Sequence, residues 1–306
     1  MKIKIGTRKS PLAMAQAGQV RGQLLEAWPH LEIELVGIVT SGDKFLDKPL
    51  ADIGGKGLFT KEIEEALLNR EIDMAVHSMK DMPTELPDAL TIGCMLERED
   101  PRDMLVGHDL HSLDDLPLGA MVGTSSLRRM AQLRMKRPDL KIIPLRGNVQ
   151  TRLGKLERGE MRATILAKAG LNRLDLHDVP GFLFPADAFI PAVAQGAIGI
   201  ECRENDDNIF ELLAPLADIE TETAVLCERA FLEVMDGSCR TPIAGYATID
   251  GDTLEFKGLI AKPDGSESHS VEISGPATDA MQLGIDAGEE LLEKAGKSFL
   301  QSTTII

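Results

Sequence analysis

Over the first 200 residues, short β-branched and aliphatic runs alternate with stretches of helical apolar spacing. The runs that read as strands are 2–6, 32–39, 72–76, 90–96, 120–123, 141–145 and 163–167. Helical stretches between them include 10–27, 58–69 and 126–136. Ser10 followed by Pro11 marks a helix start: a side-chain acceptor for free amides, then a residue whose φ is already set. Such alternation predicts α/β domains with mixed, largely parallel sheets. The pattern restarts near residue 100, after the charged segment Glu97-Arg98-Glu99-Asp100-Pro101-Arg102, and a second crossover falls at Ile190-Pro191-Ala192-Val193-Ala194-Gln195-Gly196. Two similar α/β domains are expected, one from 1–97 with 196–217, the other from 98–195.

The last third has a different rhythm. Residues 220–235 have helical spacing, with Ala224, Leu226, Cys227, Ala230, Phe231 and Val234 on the expected buried side. Strand-like runs at 243–249, 253–261 and 268–273 are separated by Asp250-Gly251 and Asp264-Gly265, both strong hairpin signals. A helix over about 279–295 comes after them. This predicts a small α+β domain, 218–306, with a three-stranded antiparallel sheet.

Composition narrows the function classes. The chain of 306 residues is 43% hydrophobic and 27% charged, with no apolar run of about 18 residues that could span a membrane. Its start lacks the apolar stretch of a secretory signal. The four cysteines, Cys94, Cys202, Cys227 and Cys239, form no CxxC pair, which argues against a zinc site or a disulfide framework. A cytoplasmic protein is the simplest expectation. The net charge of −16 argues against nucleic-acid binding, but it is unevenly spread. Residues 201–306 hold 22 acids and 7 bases, whereas 124–155 holds nine Arg or Lys against Asp139 alone. A basic stretch inside an acidic protein points to a local anionic ligand, or to a solvated helix face.

Four segments carry candidate chemistry. His77-Ser78-Met79-Lys80-Asp81-Met82-Pro83 comes directly after an apolar strand, and ligands of open α/β sheets bind at strand carboxyl ends. A turn with Asp81 and Lys80 in solvent would show the same pattern. Gly54-Gly55-Lys56-Gly57-Leu58-Phe59 can bring amides and an ammonium to an anion, or reflect turn geometry alone; it lacks Walker A spacing. Gly123-Thr124-Ser125-Ser126-Leu127-Arg128-Arg129 joins a strand end to a helix start. Arg146 with Arg152, and then Arg173, come after the next two strands. Arginine matches carboxylates bidentately, so the expected ligand carries several carboxylates or phosphates. Finally, Asp236-Gly237-Ser238-Cys239-Arg240-Thr241-Pro242 presents a loop cysteine beside a cation that favours its thiolate. The other three cysteines read as core residues.

Taken in order with Gly6-Thr7-Arg8-Lys9-Ser10-Pro11-Leu12-Ala13, 97–103 and 145–152, these segments resemble the porphobilinogen deaminase family over nearly the whole chain. The resemblance implies two similar α/β domains with the site between them, and a small domain presenting the cysteine. It implies a transferase of tetrapyrrole (haem) biosynthesis that condenses four porphobilinogen molecules head to tail into hydroxymethylbilane, releasing ammonia. The work is done on a dipyrromethane primer held by a thioether to Cys239. By the same resemblance Asp81 is the catalytic carboxylate, stabilising the cationic azafulvenium left by ammonia. Lys80, Ser126, Arg128 and Arg129, with Asp81, hold the primer. Arg8, Ser10, Thr124, Arg146, Arg152, Arg173 and Gln195 bind the acetate and propionate groups of the substrate chain, while Lys56 and Phe59 belong to a flap. A monomer needing no metal or nucleotide is implied. Many members have glycine where Ser238 and Ala194 stand, which bears on backbone freedom rather than chemistry.

Two other classes compete. Two α/β domains joined by two crossovers is also the periplasmic-binding-protein-like architecture of solute-binding and ligand-sensing proteins, and fold does not settle function. Neither of those explains a cysteine on a third domain. A thiol enzyme pairing Cys239 with His77 lacks a visible orienting group.

Overall fold

The computed structural model describes residues 1–44, 59–235 and 242–303. The chain divides into two compact units, Met1–Glu99 with Gly196–Glu222 and Asp100–Gln195 with Thr223–Ile306. The first contains β1 (Lys2–Arg8), α1 (Pro11–Ala27), β2 (Glu32–Ile38), the single turn α2 (Ser41–Lys44), α3 (Lys61–Leu68), β3 (Met74–Ser78) and β4 (Leu90–Met95). The second opens with β5 (Asp103–Val106), β6 (Met121–Gly123), α4 (Leu127–Lys136), β7 (Lys141–Ile143), α5 (Val149–Glu157), β8 (Ala163–Ala167), α6 (Lys168–Asn172) and β9 (Gly181–Leu183). The chain then returns to the first unit as β10 (Ile198–Arg203) and α7 (Asp207–Leu213).

The two five-stranded sheets share one plan. Their orders are β2-β1-β3-β10-β4 and β7-β6-β8-β5-β9. In each, the first three strands are parallel and the fourth runs antiparallel to both its neighbours. That fourth strand is in both cases the first strand after the chain has crossed from the other unit. Crossing therefore fills a central slot in each sheet, which is why the sheets are mixed.

Local sequence explains the framing helices. Ser10 caps α1 by accepting from the Ala13 amide at 3.3 Å, and Ala13, Ala17, Val20 and Leu24 form its buried stripe. Ala17, Val20 and Leu24 of that stripe pack on Ile3, Ile5, Met74, Val76, Ile198 and Ile200 to form the first core. In the second unit Val122, Leu133, Ala163, Ile165, Phe184 and Phe189 make the equivalent core, with Phe184 and Phe189 stacked at 4.4 Å.

The remaining elements are α8 (Ile219–Val234), an antiparallel sheet of β11 (Ile243–Asp250), β12 (Thr253–Ala261) and β13 (Ser268–Pro276), and α9 (Ala280–Thr303). Glycines at 251 and 265 take positive φ at the two hairpins. Leu226 corrects the expected buried face of α8: it is 42% exposed, one position before the buried Cys227. Glu228 on the same helix is fully buried, and its two oxygens accept from the amides of Ala194 (2.5 Å) and Ala247 (2.8 Å). Ala194 has φ 58, a left-handed conformation costing alanine about 1 kcal/mol that glycine would not incur. Gly196, at φ 96, has no room for a side chain: a Cβ would lie 2.2 Å from the Glu99 carbonyl oxygen. Among the described residues no helix is long and apolar enough to cross a membrane.

Candidate functional site

In the first unit, β2, β1 and β3 are parallel, so their carboxyl ends share one edge. A cleft there is lined by Arg8 at the end of β1 and Ser10 after it, Gln16 of α1, Phe59 and Thr60 before α3, His77 and Ser78 at the end of β3, and Asp81 after it. Asp81 ends a single 3₁₀ turn, Met79–Asp81. Backbone bonds pin that turn from both sides: the Met79 amide donates to Ala197 and the Met82 amide to Met79. Met79 is buried as its anchor, while Asp81 stays exposed. Lys80 on the same turn is half-buried.

Gln16 is the polar residue in the buried stripe of α1, and its amide nitrogen donates to the Ser78 hydroxyl at 2.8 Å. This bond ties helix to strand just before the Asp81 turn. The Arg8 guanidinium lies 4.3 Å from the centroid of the Phe59 ring, a cation–π contact. Phe59 is thus at the cleft. Lys56 of the expected flap lies outside the described residues, as does the whole 236–241 loop with Ser238 and Cys239.

In the second unit, the parallel strands β7, β6 and β8 likewise bring the segments after them to one edge. Thr124 and Ser126 come after β6, Arg146 after β7, and Arg173 after β8 by way of α6. Ser126 caps α4 by accepting from the Arg129 amide, and its own amide donates to the Thr124 hydroxyl. Asn148 caps α5, and Arg152 on that helix donates to the Gly147 carbonyl at 2.9 Å. Gly147 sits at φ 115, a turn that a side chain would strain.

Arg128 and Arg129 are buried, and both meet Asp103, which is fully buried at the start of β5. Arg128 Nη2 is 2.7 Å from Asp103 Oδ2, and Arg129 donates to Oδ1 from both Nε (3.1 Å) and Nη2 (2.7 Å). The same Oδ1 accepts from Gln195 Nε2 at 3.0 Å, and Gln195 also donates to the Pro101 carbonyl. Burial alone would raise the Asp103 carboxyl; the charges of Arg128 and Arg129 outweigh it and hold the group well below the usual carboxylate range. Burial lowers Arg128, with Asp103 opposing. Among the described residues, two guanidinium groups share one carboxylate at this edge. Arg128, Arg129 and Gln195, which the resemblance implied at the ligand, share Asp103 as a partner.

Sequence reading passed over Asp103 and Gln16. The available signal was a polar residue at a position that should face a core: Asp103 heads the apolar run Met104-Leu105-Val106, and Gln16 interrupts a helical apolar stripe. Burial pushes the Cys94 and Cys227 thiols up to about 12 and Cys202 to about 11, which disfavours their thiolates, and none of the three is in a disulfide. Among the described residues, no cluster of His, Cys, Asp and Glu is arranged to hold a metal.

Among solved structures, the chain is similar to a Salmonella typhimurium periplasmic binding protein with high arginine specificity, at 14% identity over 70% of this chain and 91% of that one, TM-score 0.41. It is also similar to the alkanesulfonate-binding protein of Xanthomonas axonopodis pv. citri, at 16% identity over 77% and 75%, TM-score 0.40. Neither likeness carries an argument about function. Family models are decisive. Residues 3–211 match the dipyrromethane cofactor binding domain of porphobilinogen deaminase, and residues 222–293 match its C-terminal domain. With the pinned carboxylate, the arginine edge and both matches in hand, the chain belongs to the porphobilinogen deaminase family.

Proposed function

We propose that Asp81 is the catalytic carboxylate of the family's reaction in this chain, and that Cys239 carries the dipyrromethane. The reaction is the stepwise head-to-tail condensation of four porphobilinogen molecules into hydroxymethylbilane, a transferase activity of haem biosynthesis that releases ammonia at each step. The observation that carries the assignment is the placement of Asp81. An exposed carboxylate sits on a backbone-pinned turn at the carboxyl end of a central strand, in a cleft shared with Arg8. Positive charge develops on the incoming porphobilinogen as its amine departs, and a carboxylate held in place stabilises that charge without reorganising.

A polycarboxylate dipyrromethane fits the second unit's edge, because among the described residues two guanidinium groups, Arg128 and Arg129, share the single carboxylate of Asp103. When bound, the group supplies the pyrrole to which new units are joined. Arg128 and Arg129 with Ser126, and Lys80 with Asp81, would hold it. Arg8, Ser10, Thr124, Arg146, Arg152, Arg173 and Gln195 would bind the side-chain carboxylates of the substrate chain. Asp103 keeps the two buried guanidinium groups oriented, and Gln195 holds Asp103. Phe59 and Lys56 would cover the cleft.

A monomeric, cytoplasmic protein that leaves nucleic acid alone completes the reading, supported by the charge of −16 and by three described cysteines that are all unpaired. A separate third domain from residue 218 is supported by its own sheet and by the family match that begins at 222.

Intact mass tests the assignment. Purified protein should show an excess equal to two linked pyrrole units, lost in Cys239→Ala. A folded wild-type protein with no excess, even after incubation with porphobilinogen, would remove Cys239 from this role.

A further inference from the structure

Beneath the cleft lies a cluster of ionisable groups that none of these roles uses. His77 is 6% exposed, and its Nε2 is 2.9 Å from Oε2 of Glu201, which is fully buried. Strand register sets the pair. His77 opposes Gly199 and Glu201 opposes Ala75 in the antiparallel β3–β10 ladder, so both side chains stand on one face of the sheet. Helix α3 covers that face through Ile63, Ala66 and Leu67, which pack on Ala75, and it adds Glu64, 7% exposed.

Glu64 Oε1 and Glu201 Oε1 are both buried without a hydrogen-bond partner. Native interiors leave few such oxygens, and two beside one imidazole call for a reason. Burial raises the Glu64 carboxyl above the usual glutamate range and the Glu201 charge adds to this, with Thr60 and His77 opposing. A neutral imidazole would leave the fully buried Glu201 carboxylate without a charge partner. His77 and Thr60 also line the cleft with Asp81, and His77 Nδ1 has no hydrogen-bond partner among the described residues. Among the described residues, Arg8 from β1 and Asp81 from the turn after β3 line the cleft with His77, and Glu201 from β10 and Glu64 from α3 act on it from the buried side.

Resting on the reading of this cleft as the reaction site, we propose that His77 is its proton store, charged by Glu201 and backed by Glu64. Protonated His77 gives its Nδ1 proton to the amine nitrogen as the carbon–nitrogen bond breaks. The bonding pair goes to nitrogen, which leaves as ammonia. The carbon-bound proton displaced by the new carbon–carbon bond returns to Nδ1, so the store is whole after each addition. A plain structural pair fastening β3 to β10 would need no such exchange.

The test is read on full-length protein labelled with ¹⁵N-histidine and titrated between about pH 5 and 9, the range where imidazole switches charge. His77→Gln identifies the signals of His77. The ring should carry its proton in the acid part of this range and lose it where the alkaline limb of kcat/KM falls. Glu201→Gln removes the carboxylate that pairs with the ring, so ring and limb should move together to lower pH. A ring that stays neutral throughout overturns the proposal in wild-type protein alone, whatever the variants do. So does an unmoved limb in a folded Glu201→Gln protein that retains its pyrrole mass excess. A missing mass excess would instead strike the role of Cys239, and the wild-type titration would still decide the role of His77.

Discussion

Asp81→Asn should lower single-turnover condensation by a factor of about 10² to 10³ while leaving the pyrrole mass excess in place. The substitution keeps shape and hydrogen-bonding atoms and removes one charge. A unit pair at about 4 Å is worth about 4 kcal/mol at an effective dielectric near 20, and each 1.36 kcal/mol is about tenfold in rate. Asp81 is exposed in the free protein, and in bulk water the same pair is worth only about 1 kcal/mol, roughly a fivefold effect. The size of the loss therefore reports whether bound substrate excludes water from the cleft. A loss near fivefold would make Asp81 a solvated neighbour rather than the stabilising charge. Quench-flow measurement of each addition, on protein of verified mass, separates the two.

Asp103→Asn should cost about 3–5 kcal/mol of folding stability, the usual consequence of removing one partner from a buried ion pair. The asparagine would leave Arg128 and Arg129 buried without their carboxylate. The pH dependence gives a second signature. Because the Asp103 carboxyl is held below its ordinary value, its contribution is complete above the unfolded-state value near 3.9 and is lost as pH falls through the folded value. Denaturant melts should thus show a constant gap between wild type and variant from about pH 8 to 5, narrowing below about pH 4. A gap under about 1 kcal/mol at neutral pH would mean that the arginines find other partners, and that Asp103 does not organise them.

The alternating pattern carried the parallel strands well, because β1, β2, β3, β6, β7 and β8 are short aliphatic runs next to helical stretches. It missed β5, β9 and β10 for identifiable reasons. β9 is three residues long, β5 begins with a buried aspartate, and β10 has glutamate at its centre. In each of the last two, the residue that spoils the apolar run belongs to a polar cluster, Asp103 with the arginines and Glu201 with His77. Strand signal and site signal were thus the same residues, read with opposite weight. The candidate site was legible where residues come just after a parallel strand, as Asp81 and Arg146 do. The partner of Arg128 and Arg129 was not, because Asp103 lies 25 positions before Arg128 and reaches it only through the β6-β8-β5 strand order.

The shared sheet plan also sets a schedule for synthesis. β3 and β4 do not pair with each other; β10 lies between them and is made roughly a hundred residues after β4. At about 5–20 residues per second, the nascent first unit waits on the order of 5–20 seconds with two strand edges open. Over the same interval the middle of the chain can complete its own sheet, since β5 to β9 all lie within 103–183. Ribosome-bound chains long enough to expose residue 195 should therefore be cut readily by protease between 1 and 99 and resist within 103–183, and chains long enough to expose residue 203 should resist in both. Equal resistance at the shorter length would mean that β3 and β4 have found a temporary partner. β3 and β4 are thus made early and paired late, and their open edges are a liability in the meantime.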